Sequence, residues 1–132
     1  MAKKIVYEEA QDVCSLVEKL VEALEEFRHI DTTRVYCTRS KNTRTKAIAR
    51  IYGLPRIWQK ALNQPPAYII EVVSENYDNL DQKEKIETII HELLHIPKGF
   101  TGGLRPHGKY VNQKIVRKLY RKAAKKLSTR KH

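Results

Sequence analysis

Two histidines four residues apart, with a glutamate directly after the first, are the side chains best suited to chemistry in this chain: His91-Glu92-Leu93-Leu94-His95. On a helix, positions i and i+4 lie one turn apart on the same face. Both imidazoles can then reach one tetrahedral zinc, at about 2.0–2.1 Å each. Glu92 is offset from that face. It reaches a water beside the metal rather than the metal, which is where a general base is needed. The flanking Thr88, Ile89, Ile90, Leu93, Leu94 and Ile96 are uncharged and mostly aliphatic. An accidental match on a surface helix would carry Lys or Glu there. The alternative is a core helix with two hydrogen-bonded histidines.

Catalytic zinc takes three protein ligands and keeps one position for water. The metzincin pattern needs a histidine at position 101, where Thr101 stands, and thermolysin-like enzymes need a downstream glutamate, whereas no Asp or Glu follows Glu92, so that class stays open only to a carboxylate ligand from upstream. The downstream histidines after the motif are His107 and His132. His132 ends a basic tail, where order is least expected. That leaves His107, which the Gly- and Pro-containing stretch 96–106 is suited to turning back toward the motif. The alternative places His107 at the start of a helix, without a metal. Tyr110 and Arg105 flank it and could polarise a substrate carbonyl or stabilise an oxyanion; a packed tyrosine and a solvated arginine are the plainer assignments. Glu87 and Glu71 are candidate acceptors behind the ligand imidazoles. His29 is expected on the surface and Trp58 in the core.

These residues need elements to position them. The spacing of Val13, Leu16, Val17, Leu20, Ala23, Leu24 and Phe27 predicts an amphipathic helix over 8–28. Strands are predicted at 32–38, 45–52 and 67–73, with a polar turn at 39–44 and a short helix at 56–62. The motif helix is predicted over about 81–96, with Asp81 and Glu84 as a capping box and Ile86, Ile89, Ile90, Leu93 and Leu94 as its buried face. Pro97 and Gly99 end it, and Gly102-Gly103 permits a reversal. A last helix is predicted from Pro106 onward, carrying Val111, Ile115, Leu119, Ala123 and Leu127 at four-residue spacing.

With 132 residues, 41% apolar and 31% charged, the chain is expected to be one globular domain, 1–132. No apolar run approaches a membrane span and no secretory signal is evident, so a cytoplasmic location is expected. Cys14 and Cys37 form no metal-binding spacing and are expected as buried, reduced thiols, with a single disulfide as the alternative. Charge is unevenly placed. Residues 1–95 hold 14 Lys/Arg against 15 Asp/Glu, while residues 96–132 hold 12 Lys/Arg and no acid. Lys118, Arg121, Lys122 and Lys125 recur on the last predicted helix, away from Val111, Ile115 and Leu119. Such a stripe could attract nucleic-acid phosphates without reading sequence, or an acidic partner or substrate; the alternative is a solvated face.

HELLH at 91–95, followed by a Gly-containing turn and His107-Gly108-Lys109-Tyr110, resembles the HExxH…H arrangement of SprT-like zinc metallopeptidases. The stretch from His91 to Ile96-Pro97, through Phe100-Thr101-Gly102-Gly103-Leu104-Arg105-Pro106, to His107 is more similar still to a family of archaeal and phage metallopeptidases. The resemblance covers 88–110 and is weak over 1–45. It implies His91, His95 and His107 as zinc ligands and Glu92 as base. It also implies a small zincin-like α+β fold in which a strand beside the motif helix holds an extended peptide. The chain lacks the cysteine zinc ribbon of SprT proteins, so their substrates do not carry over. The expectation is an α+β domain with an N-terminal helix, a three-stranded sheet including 67–73 as the peptide-holding strand, the motif helix and a basic C-terminal helix. Its expected activity is zinc-dependent peptide hydrolysis. The competing expectation is a nucleic-acid-associated zinc protein without peptidase activity. A structural zinc of that kind calls for a fourth protein ligand, and none is apparent.

Overall fold

The computed structural model describes residues 3–130. Among these residues the fold is α+β, with a four-stranded mixed sheet and five α-helices. The strands are β1 (Val6–Glu9), β2 (Val35–Lys41), β3 (Ala49–Gly53) and β4 (Tyr68–Val73). The helices are α1 (Gln11–Ala23), α2 (Arg56–Leu62), α3 (Ser74–Tyr77), α4 (Gln82–Leu94) and α5 (Gln113–Arg130). Sheet order is β1-β2-β4-β3, with β2 and β4 parallel and the two outer pairs antiparallel.

The expected three-stranded sheet is corrected to four, because β1 pairs with β2 from Val6↔Lys41 to Glu9↔Thr38. The strand expected at the substrate edge is corrected too. β4 is hydrogen-bonded on both sides, to β2 and to β3, so its backbone cannot accept a further strand. The edge strands are β1 and β3, and β3 is the edge that packs beside α4. Tyr68, Ile70 and Val72 of β4 are all buried and alternate toward one face of the sheet. There they join Val13, Val17 and Leu20 of α1, Ile89, Ile90 and Leu93 of α4, and Val116, Leu119 and Ala123 of α5 in the core.

Helix α1 is shorter than its apolar period because Leu24, in an extended conformation (φ −114°), ends it and a 3₁₀ turn over Glu25–Phe27 follows. Helix α4 begins where Asp81 caps it, its carboxylate accepting the Glu84 N–H at 2.8 Å. The last helix starts at Gln113 rather than Pro106. The Asn112 carboxamide accepts the Ile115 N–H at 3.0 Å, and residues 101–112 run as an irregular segment before it. Trp58 is 56% exposed rather than in the core, since helix α2 turns only Gln59 inward. No helix among the described residues is long and apolar enough to cross a membrane.

Candidate metal centre

His91 and His95 come from the last turn and the C-terminal end of α4, and His107 from the irregular segment beyond it. A nitrogen from each of the three lies within 4.8 Å of the other two. His91 Nε2 and His107 Nε2 are 3.0 Å apart. The structure therefore brings the three predicted ligands together, with His107 on a loop and exposed rather than on a helix face.

The loop that delivers His107 is fastened at several points. The Tyr68 hydroxyl accepts the Gly102 N–H at 2.9 Å and donates to the Gly103 carbonyl at 2.8 Å. The Gln59 amide donates to the Thr101 carbonyl at 2.9 Å, joining the loop to α2. Gly53 and Gly102 pass so closely that a Cβ on Gly53 would collide with the Gly102 carbonyl. Gly102 itself has φ +94°, a conformation glycine adopts without strain.

Arg105 makes the tightest join. Its N–H donates to the His95 carbonyl at 2.7 Å, and its own carbonyl accepts from His95 Nδ1 at 2.6 Å. A carbonyl only accepts, so His95 Nδ1 carries the proton and Nε2 keeps its lone pair for a metal. The guanidinium reaches back to the Leu94 and Ile96 carbonyls, at 3.2 Å each, and stacks over the Tyr110 ring. Arg105 and Tyr110 thus line a groove behind the end of α4, with His29, Lys98 and Lys118, and are not brought to the cleft holding Glu92. His29 is half-buried rather than on the surface, its Nε2 3.1 Å from the Ile96 carbonyl.

Glu92 is 8% exposed and carries no side-chain hydrogen bond or ion pair among the described residues. Burial alone pushes its carboxyl up to about 7. Burial, followed by the neighbouring imidazoles of His95 and His107, holds His91 below the usual histidine range and favours a neutral ring with a free lone pair. His91 and Glu92 line an open cleft of about 420 Å³ between α4 and the chain entering β3.

The remaining expectations divide. Glu71 faces away from the centre; it binds Arg50 bidentately, at 3.2 and 3.1 Å, and takes the Tyr52 hydroxyl at 2.6 Å, tying β3 to β4. Glu87 lines the cleft. Cys14 and Cys37 are free thiols. On α5, Lys118, Arg121 and Lys125 are exposed, but Lys122 is bonded to Glu26 and Lys118 borders Glu25 and Glu26. Sequence reasoning missed the cleft walls, Lys46, Ile48, Leu80 and Glu84. The spacing of Glu84, Glu87 and His91, three and four residues apart on one helix face, was the available signal.

Over residues 5–129 the chain matches the family described as "Putative phage metallopeptidase". The match spans almost the whole chain, and the protein belongs to that family. No curated protein and no solved structure matches it. Family membership and the three-histidine cluster together point to a metal-dependent hydrolase acting on peptides or proteins.

Proposed function

We propose that this member of the metallopeptidase family is a zinc peptidase with a zincin-like site, in which His91, His95 and His107 hold the metal and Glu92 is the general base. One observation carries this: three imidazoles converge beside a buried, unpartnered carboxylate at an open cleft. The donor set fits, since three neutral nitrogens leave a position for water and substrate. Two ligands on a tetrahedral zinc stand roughly 3.3 Å apart. The 3.0 Å between His91 and His107 is close to that spacing, and the three ligand nitrogens all lie within 4.8 Å of one another.

When bound, zinc supplies Lewis acidity toward a water and a peptide carbonyl. The protein's own groups do the rest. The Arg105 carbonyl fixes the tautomer of His95, and burial favours the neutral form of His91. Glu92 takes the proton of the attacking water and returns it to the leaving amine. An acid poised near neutral pH can serve both directions. The substrate lies extended along the free edge of β3, gaining main-chain hydrogen bonds by strand addition. Arg105 and Tyr110 act at a distance, by holding the loop that carries His107.

The test combines metal analysis of the purified protein with hydrolysis of an unfolded protein by the wild type and by Glu92→Gln. One zinc per chain in both, with turnover lowered ~10²–10⁴-fold in the variant, is expected. Full turnover in Glu92→Gln would sink the mechanism.

A further inference from the structure

The cleft beside His91 has a chemistry of its own. Its apolar walls are Ile48 and Leu80, and its charged groups are Glu84, Glu87, Glu92 and Lys46. The chain as a whole carries +11, yet this opening presents three carboxylates to one ammonium. Glu84 and Glu87 make no ion pair among the described residues. Glu92, which also lines the cleft, is more than nine-tenths buried and has no side-chain partner among the described residues. Lys46 is exposed on the approach to β3, while on α4 Glu84 is exposed and Glu87 half-buried.

We infer that this cleft is a specificity subsite for a lysine or arginine side chain of the peptide substrate, its aliphatic stem against Ile48 and Leu80 and its cation between Glu84 and Glu87. Apolar walls ending in carboxylates match a long side chain with a charged tip. Position follows from helix geometry. Glu87 stands four residues before His91 and Glu84 seven, or about 6 and 10 Å along the helix axis. An extended peptide advances about 3.4 Å per residue. The basic residue therefore sits about two to three residues from the scissile bond. This assignment rests on the peptidase proposal for its meaning, but binding can be measured without turnover.

The experiment uses the zinc-loaded Glu92→Gln protein and three fluorescein-labelled, unstructured peptides of one sequence. They differ only in carrying Lys, Gln or Glu at the central position. Anisotropy titrations should rank them Lys, Gln, Glu. Each exposed charge pair contributes modestly, so the Lys peptide should bind about three- to tenfold tighter than the Gln peptide at low salt. The gap should shrink as salt screens it. Adding Glu84→Gln and Glu87→Gln together should erase the ranking, and adding Lys46→Gln should widen it. Equal affinities, a ranking that survives the double change, or no binding of any peptide would each overturn the assignment. If the ranking holds but the wild type cleaves none of the three, the peptidase proposal fails and the cation subsite stands.

Discussion

Ionising Glu92 should cost the metal-free protein stability, and replacing it by glutamine should remove that cost in a pH-dependent way. The carboxyl is 8% exposed and shifted by burial from 4.5 up to about 7. Between those values the unfolded chain has released its proton while the native protein retains it. The native state then binds more protons, so stability falls as pH rises through this window. Below it both states are protonated and nothing is lost; above it both are ionised and the whole cost is carried. The interval is roughly 2.5 pH units, and at 1.36 kcal/mol per unit that is about 3 kcal/mol. Glutamine has the same shape and cannot ionise. Its own burial cost is independent of pH and cancels in the slope. The assay is urea unfolding of metal-stripped wild type and Glu92→Gln from about pH 4 to about pH 8. Every other ionisable group is common to both proteins and drops out of the difference. The gap should move by about 3 kcal/mol in favour of the variant across that range. A flat difference would show that the carboxylate is better solvated than its burial indicates, and would remove the ground for treating it as a base poised near neutrality.

Three further outcomes are expected. His107→Ala should weaken metal binding in chelator competition while leaving the melting temperature of the metal-free protein nearly unchanged, because His107 is exposed; unaltered metal affinity would remove it from the ligand set. Arg105→Ala should lower metal affinity ~10–100-fold, the usual scale for a lost partner behind a ligand, with Arg105→Lys recovering little because one ammonium cannot replace the fork that reaches both the Leu94 and Ile96 carbonyls. Gly102→Ala should destabilise the protein by ~1–3 kcal/mol, since φ is +94° and the new Cβ would strike the Leu54 carbonyl and the Gln59 side chain; thermal unfolding indistinguishable from wild type would contradict that packing.

The chemistry of this chain was more legible than its topology, for physical reasons. His91, Glu92 and His95 declare themselves because a helix converts sequence spacing directly into shared face. His107 was reached by elimination, since few histidines lie downstream. Helix α2 was expected at 56–62 and is found at Arg56–Leu62. The run Tyr68–Val73 marked a strand, and its apolar residues on both faces hinted at a central position that alternation arguments passed over. Strand β1 left no such trace: all four of its residues are exposed, and only pairing with β2 makes it a strand. Trp58 misled because composition says that tryptophan is usually covered, while coverage depends on which neighbours the fold supplies. The start of α5 was misplaced because Pro106 suits a first helical turn. Asn112, which caps the helix, was the better signal, and Gly108 at φ +150° lies in the loop before it.

The centre is asymmetric in how its ligands are held, and that asymmetry tells where substitutions should act. His91 and His95 ride on α4, whose Ile89, Ile90 and Leu93 are fully buried, so their placement is inseparable from the core. His107 rides on a loop with little core of its own. Its position is set by the Tyr68 hydroxyl, the Gln59 amide, the close passage of Gly53 and Gly102, and the Arg105 clasp on the end of α4. Each of these joins is polar or steric and local, and each precedes His107 in the loop by a few residues. A loop ordered in this way has already given up its conformational freedom before a metal arrives, so binding need not supply that ordering. Damage to α4 should therefore appear as loss of fold. Damage to the joins should appear first as loss of metal affinity, graded by how directly the join bears on residues 105–107.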